Sequence, residues 1–147
     1  ALKKHELKLA TAESCTGGGA AQLVTSVAGS SEWFDRGFVT YTNVSKREML
    51  GVKTTTLSRF GAVSEQTARE MADGAIAHSH AQVALAITGI AGPSGGTPEK
   101  PVGMVCFAWA GKKRATKSVK HHFTGDREAV RRQSIAVALQ GLLEFLR

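Results

Sequence analysis

The sequence predicts an α/β fold: a three-layer α/β/α sandwich around a mixed, mostly parallel sheet. Three observations carry this. Segments of strand and helix period alternate through the front of the chain. Val83-Ala84-Leu85-Ala86-Ile87 is a short unbroken apolar run, as in a central strand covered on both faces. Two late strand-like segments, 102–110 and 115–123, flank Gly111-Lys112-Lys113-Arg114 as a hairpin. The chain has 147 residues, 42% of them hydrophobic and 21% charged. That suits one domain, residues 1–147, with its own core, and excludes a disordered chain.

Each element follows from its residues. Leu7 to Ala12 alternates weakly and reads as the first strand. A polar turn, Glu13-Ser14-Cys15-Thr16, runs into Gly17-Gly18-Gly19, and Ala20 to Val27 continues at helical spacing. A turn at Ala28-Gly29-Ser30-Ser31 leads into Trp33 to Tyr41, whose aromatic and β-branched residues predict a second strand. Ser45 to Leu50 is a short helix closed by Gly51. Ser64 is an N-cap for a helix from Glu65 to His78, with an acidic residue in its first turn. The loop from Thr88 to Pro101 holds four glycines and all three prolines. Its length for a compact domain marks it as functional. Asp126 caps the last helix, Arg127 to Leu146.

Composition narrows the function. Nineteen Lys and Arg against twelve Asp and Glu give a net charge of +7 and favour anionic partners. Cys15 and Cys106 are the only cysteines, too few for a disulfide framework or a cysteine-rich zinc site. A reducing cytoplasm is the expected compartment. No apolar run approaches the ~20 residues of a membrane span, and the first residues lack a signal-peptide pattern.

Several groups of residues could carry chemistry. The Ser14–Gly18 turn opens a helix, so its free N–H groups suit a phosphate or carboxylate; a plain tight turn explains the glycines equally well. It is neither a Walker A loop nor G-x-G-x-x-G. Cys15 at the same helix start could be an activated thiol, but small buried cysteines are commoner. His78-Ser79-His80 and His121-His122 lack a third ligand at metal-site spacing, so no metal is expected. Lys112, Lys113, Arg114, Lys117 and Lys120 could track a nucleic-acid backbone. Lysine also blunts edge strands, and no aromatic residues interleave with these, so nucleic acid is disfavoured. Ser31, Tyr41 and Lys46 form a chemically sensible trio of nucleophile, relay and base, if the turn before the second strand folds back. Lys46 would need its pKa lowered by several units from ~10.4.

Five separated motifs in one order resemble the CinA C-terminal domain family, the PncC-type nicotinamide-nucleotide amidases. They are Thr11-Ala12-Glu13-Ser14-Cys15-Thr16-Gly17-Gly18, Gly29-Ser30-Ser31 with Val39-Thr40-Tyr41-Thr42-Asn43, Lys46 and Leu50-Gly51-Val52, Gly61-Ala62-Val63-Ser64, Thr88-Gly89-Ile90-Ala91-Gly92-Pro93, and Gly95 to Gly103. The resemblance covers almost the whole chain. Gly19 departs from it, since members usually carry Leu there. The resemblance implies hydrolysis of nicotinamide mononucleotide (NMN) to nicotinate mononucleotide and ammonia, in pyridine-nucleotide recycling. It also implies Ser31, Tyr41 and Lys46 as the catalytic set, no cofactor and a homodimer. Ser14, Thr16, Gly17, Gly18, Thr88, Gly89, Ala91 and Gly92 are then expected to border the substrate, on two loops that each follow a strand. Three other readings stay open: a thiol amidase using Cys15, a catalytically silent paralogue, and a binding module for a nucleotide or nucleic acid.

Overall fold

A computed structural model describes residues 1–147. The strands are β1 (Leu9–Glu13), β2 (Phe34–Val39), β3 (Val83–Gly89), β4 (Met104–Gly111) and β5 (Arg114–His122). The helices are α1 (Gly19–Thr25), α2 (Asn43–Leu50), α3 (Thr54–Phe60), α4 (Glu65–Ala77) and α5 (Arg127–Phe145). A single 3₁₀ turn, Ser30–Glu32, precedes β2. The sheet order is β2-β1-β3-β4-β5. β1 pairs in parallel with both β2 and β3, whereas β3–β4 and β4–β5 are antiparallel. The expected mixed sheet is therefore present. Two of its four pairings are parallel, and only β4 runs against the other strands.

The period-2 alternation of the central strands builds two unlike faces. Leu9, Val83, Leu85, Ile87, Val105, Phe107 and Trp109 point to one face, where α5 contributes Val130, Ala138, Leu142 and Phe145. Ala10, Ala12, Ala84, Ala86, Ala108 and Ala110 point to the other, against Ala68, Met71, Ala72 and Ala75 of α4. Large side chains hold α5 off the sheet, while alanine on alanine lets α4 approach closely. Gly74 continues this closeness to α2: a Cβ there would lie 1.9 Å from the Leu50 carbonyl oxygen. No helix is long and apolar enough to cross a membrane.

The sequence expectations hold for most elements, with shifted ends. α3 is the one helix they omit. Its residues Thr54-Thr55-Thr56 are poor helix formers. Tertiary bonds offset this: the Glu70 carboxylate of α4 accepts from Lys53 N at 2.9 Å and from Thr56 Oγ1 at 2.5 Å. β1 starts two residues later than Leu7 and runs on to Glu13, because Glu13 continues the ladder between Val39 and Ile87. β3 likewise runs on through Thr88 and Gly89, which pair with Cys106 and Val105.

Candidate active site

Three parallel strands end at one edge of the sheet, and the site is built there. The Ser14 N–H donates to the Ile87 carbonyl at 3.0 Å, and Thr40 N–H to the Glu13 carbonyl at 2.8 Å. The residues just past β1 and β2 are thus locked beside the end of β3. Such crevices outside the carboxyl ends of parallel strands are where open α/β sheets hold ligands. α2 starts two residues after Tyr41. Thr42 and Ser45 form a reciprocal capping box, and Gly51 ends the helix in the left-handed region at φ 71°. Lys46 and Leu50, four apart, make the buried face of this helix.

Lys46 is 1% exposed. Its Nζ donates to Ser14 Oγ at 3.0 Å, to Thr40 O at 3.1 Å and to Tyr41 O at 3.2 Å. All three partners are uncharged, so the amine is buried without a counter-ion. Burial pushes its pKa below the usual lysine value, and the nearby Cys15 opposes this more weakly. A hydroxyl bonded to a buried amine can serve as a nucleophile and its base. Ser14 follows the end of β1 and precedes the glycines that open α1. Strand–turn–helix junctions of this kind expose a nucleophile at the top of a sheet.

The pair faces a cleft of about 290 Å³ whose lining includes Thr88, Gly89, Ala91, Gly92 and Arg127. Arg127, in the first turn of α5, donates to the Gly92 carbonyl at 2.7 Å and to the Tyr41 phenol oxygen at 2.9 Å. Tyr41 therefore spans the cleft, with its carbonyl at Lys46 and its phenol at Arg127. Larger hollows of 530, 660 and 540 Å³ lie elsewhere, but none contains a hydroxyl bonded to a buried amine.

The structure brings together some of the expected residues and separates others. Ser14, Tyr41, Lys46, Thr88, Gly89, Ala91 and Gly92 all line the cleft. Ser31 does not join them. It precedes β2 whereas Tyr41 and Lys46 follow it, and a strand of six residues carries the chain ~17–20 Å. The turn at Gly29–Ser31 thus lies at the opposite end of the sheet instead of folding back.

Thr16, Gly17 and Gly18 are also outside the cleft, and an anion at this helix start is displaced by the chain's own carboxylate. Glu13, 1% exposed, accepts from Thr16 Oγ1 at 2.6 Å, Ala20 N at 2.8 Å and Ala21 N at 3.1 Å. It occupies the positive end of α1 where a phosphate was expected. The glycines serve the turn itself, with φ of 60° at Gly17 and 101° at Gly18. Gly19 packs against α5: a Cβ there would lie 2.6 Å from Ile135 Cδ1.

Cys15 is 5% exposed, and burial pushes its thiol up to about 11. A thiol so placed is a poor nucleophile near neutrality. Its backbone N–H donates to no backbone carbonyl and faces the cysteine's own sulfur. No three His, Cys, Asp or Glu side chains converge to hold a metal. The sequence reasoning missed Arg127, which is 86 residues from Tyr41 and gave no local signal. It gave Ser14 as a substrate contact and not as a candidate nucleophile, although its place between a strand end and a glycine-rich helix start is a signal for one.

The CinA C-terminal domain family profile matches residues 1–146. The chain is 53% identical over 148 residues to the nicotinamide-nucleotide amidohydrolase PncC of Enterobacter agglomerans, covering 100% of this chain and 90% of that protein. It is 53% identical over 142 residues to the protein of the same name from Escherichia coli strain K12, covering 97% and 86% respectively. Among solved structures, the competence/damage inducible protein CihA of Agrobacterium tumefaciens superposes with a TM-score of 0.97 at 47% identity, over 99% of this chain and 89% of that one. With profile, sequence and fold in agreement over nearly all its length, the chain belongs to the CinA C-terminal domain family.

Proposed function

We propose that this chain is an amidohydrolase that converts NMN and water to nicotinate mononucleotide and ammonia, with Ser14 as nucleophile and Lys46 as general base. The observation that carries the mechanism is the 3.0 Å contact between Ser14 Oγ and a buried, counter-ion-free Lys46 Nζ. The relatives named as nicotinamide-nucleotide amidohydrolases support the substrate.

Neutral Lys46 takes the Ser14 proton as Oγ bonds to the carboxamide carbon. The carbonyl oxygen gains negative charge, and the Cys15 N–H, which has no backbone carbonyl as acceptor, is the proposed donor to it; one such donor is worth ~3–4 kcal/mol in other hydrolases. Lys46 then passes its proton to the departing nitrogen, the C–N bond breaks, and ammonia leaves. Water attacks the resulting nicotinoyl ester, losing a proton to Lys46. Ser14 recovers that proton as the acid is released. The Thr40 and Tyr41 carbonyls hold the amine in place throughout. Tyr41 gives its carbonyl to Lys46, while its phenol oxygen accepts from Arg127.

The proposal extends to pyridine-nucleotide recycling in the cytoplasm by a homodimer. Exposed Val39, Val44 and Met49 at the β2 edge and on α2 support a partner surface. Light scattering on the eluting protein tests the dimer.

The test of the reaction is ammonia release from NMN by wild type, Ser14→Ala, Ser31→Ala and Cys15→Ala, each with a strong chelator. Turnover lost only in Ser14→Ala supports the mechanism. Loss in Ser31→Ala with Ser14→Ala active overturns the assignment of the nucleophile. No ammonia from wild type overturns the reaction.

A further inference from the structure

We propose that Arg127 reads the phosphate monoester of the substrate, and so makes the cleft select a nucleotide over its nucleoside. This rests on the amidohydrolase reading above and adds a specificity-determining residue to it.

Charge in the cleft is the first observation. Its lining contains no Asp or Glu, and its only cationic side chains are Lys46 and Arg127. Lys46 is sealed in the floor and bonded to three oxygens of the chain. Arg127 is exposed at the rim and forms no ion pair with any carboxylate. A permanent positive charge in a carboxylate-free cleft is complementary to an anionic ligand.

The second observation is how Arg127 is held. The Gly92 carbonyl takes one N–H at 2.7 Å, and the Tyr41 phenol takes another, from the other terminal nitrogen, at 2.9 Å. Two bonds to two different loops fix the guanidinium plane before any ligand arrives. Of its five N–H groups, three stay uncommitted, enough for the two parallel bonds that a guanidinium makes to phosphate.

Spacing is the third. Tyr41 touches Lys46 with its carbonyl and Arg127 with its phenol, so one tyrosine separates the reacting end of the cleft from the charge. In a nicotinamide nucleotide, a ring and a ribose separate the carboxamide from the phosphate, a span of the same order. With the carboxamide at Ser14, the phosphate reaches Arg127. The α1 N-terminus is not an alternative phosphate site, because Glu13 fills it.

The experiment compares NMN with nicotinamide riboside, which lacks only the phosphate, in wild type, Arg127→Lys and Arg127→Met. A second arm measures binding of ribose 5-phosphate and of ribose by calorimetry. Wild type is expected to prefer NMN. Arg127→Met should lose about ten- to a hundredfold in kcat/KM for NMN, the range of a charge-assisted hydrogen-bond pair, and change within a few-fold for the riboside. Arg127→Lys should recover part of the preference, since it keeps the charge without the fork. Ribose 5-phosphate should bind wild type and not Arg127→Met. Equal losses on both amides would make Arg127 only a staple for the Gly92 loop, and overturn the proposal; so would an unchanged preference. If wild type hydrolyses neither amide, the amidohydrolase reading falls, and the calorimetric arm alone decides phosphate recognition: ribose 5-phosphate bound no better than ribose overturns it.

Discussion

The Ser14 hydroxyl and the Lys46 amine meet at 3.0 Å across 32 residues of sequence, inside a site where neither has a charged partner. Two backbone constraints produce this contact. The Ser14 N–H is tied to the end of β3, and α2 is capped at Thr42 so that its fourth residue turns inward. The amine is held by two carbonyls and a hydroxyl and has no carboxylate beside it.

The first prediction concerns the nucleophile. Ser14→Ala should lower kcat for ammonia release by at least ~10³-fold, as for a lost nucleophile in other serine hydrolases. Ser31→Ala, at the far end of the sheet, should stay within a few-fold of wild type. Steady-state kinetics on both variants, with circular dichroism to confirm folding, checks this.

The pH dependence follows from Lys46. Only the neutral amine can accept the Ser14 proton, so kcat/KM should fall as pH drops through a pKa that burial holds below 10.5. Stability has the same sign. Between the folded and unfolded pKa values the unfolded chain binds the extra proton, so unfolding free energy rises with pH across that window. Below the folded value both states are protonated, and the full cost of burying the ammonium is felt. Urea melts of wild type and Lys46→Met from pH 7 to 10 should show the wild type gaining on the variant as pH rises. Parallel curves would assign Lys46 an unshifted pKa.

Glu13 is predicted to be structural. Glu13→Ala leaves Ala20 N, Ala21 N and Thr16 Oγ1 without their acceptor. The expected cost is about 3 kcal/mol. At ~4 °C per kcal/mol for a domain of this size, thermal unfolding should move down by about 12 °C. An unchanged midpoint would mean that the α1 start does not depend on this carboxylate.

Gly74 couples packing to the site. Gly74→Ala places a methyl 1.9 Å from the Leu50 carbonyl oxygen, on the helix that carries Lys46. Backbone must move, at a cost of ~3 kcal/mol. Both the unfolding midpoint and kcat should drop, whereas Gly29→Ala, with nothing within 4 Å, should act only through its positive φ. Melting curves and kinetics on the two variants separate the effects.

Cys15→Ala should retain turnover within a few-fold, because a thiol pushed up to about 11 holds its proton at working pH. A thiol-alkylating reagent should likewise leave wild-type activity largely intact. Complete inactivation of Cys15→Ala with its fold preserved would return the thiol mechanism.

The sequence by itself determined the layers. The weak alternation of β1, the apolar run of β3 and the hairpin of β4 and β5 need only neighbouring residues, as do the caps at Ser64 and Asp126 that set two helices. The family motifs were equally legible, because they are local strings. What only the tertiary structure decided is which of those strings meet. Ser31 and Lys46 are closer in sequence than Ser14 and Lys46, yet β2 drives the first pair apart while the parallel pairing of β1 and β2 closes the second. The glycine-rich turn looked like an anion site because its N–H groups are visible in sequence; the buried Glu13 that satisfies them is a matter of side-chain direction at the strand end. Arg127 entered the site only through the return of α5 across the sheet. Local pattern is set by adjacent residues and short-range sterics. Convergence at a site is set by strand register and helix return, which no window of neighbouring residues contains.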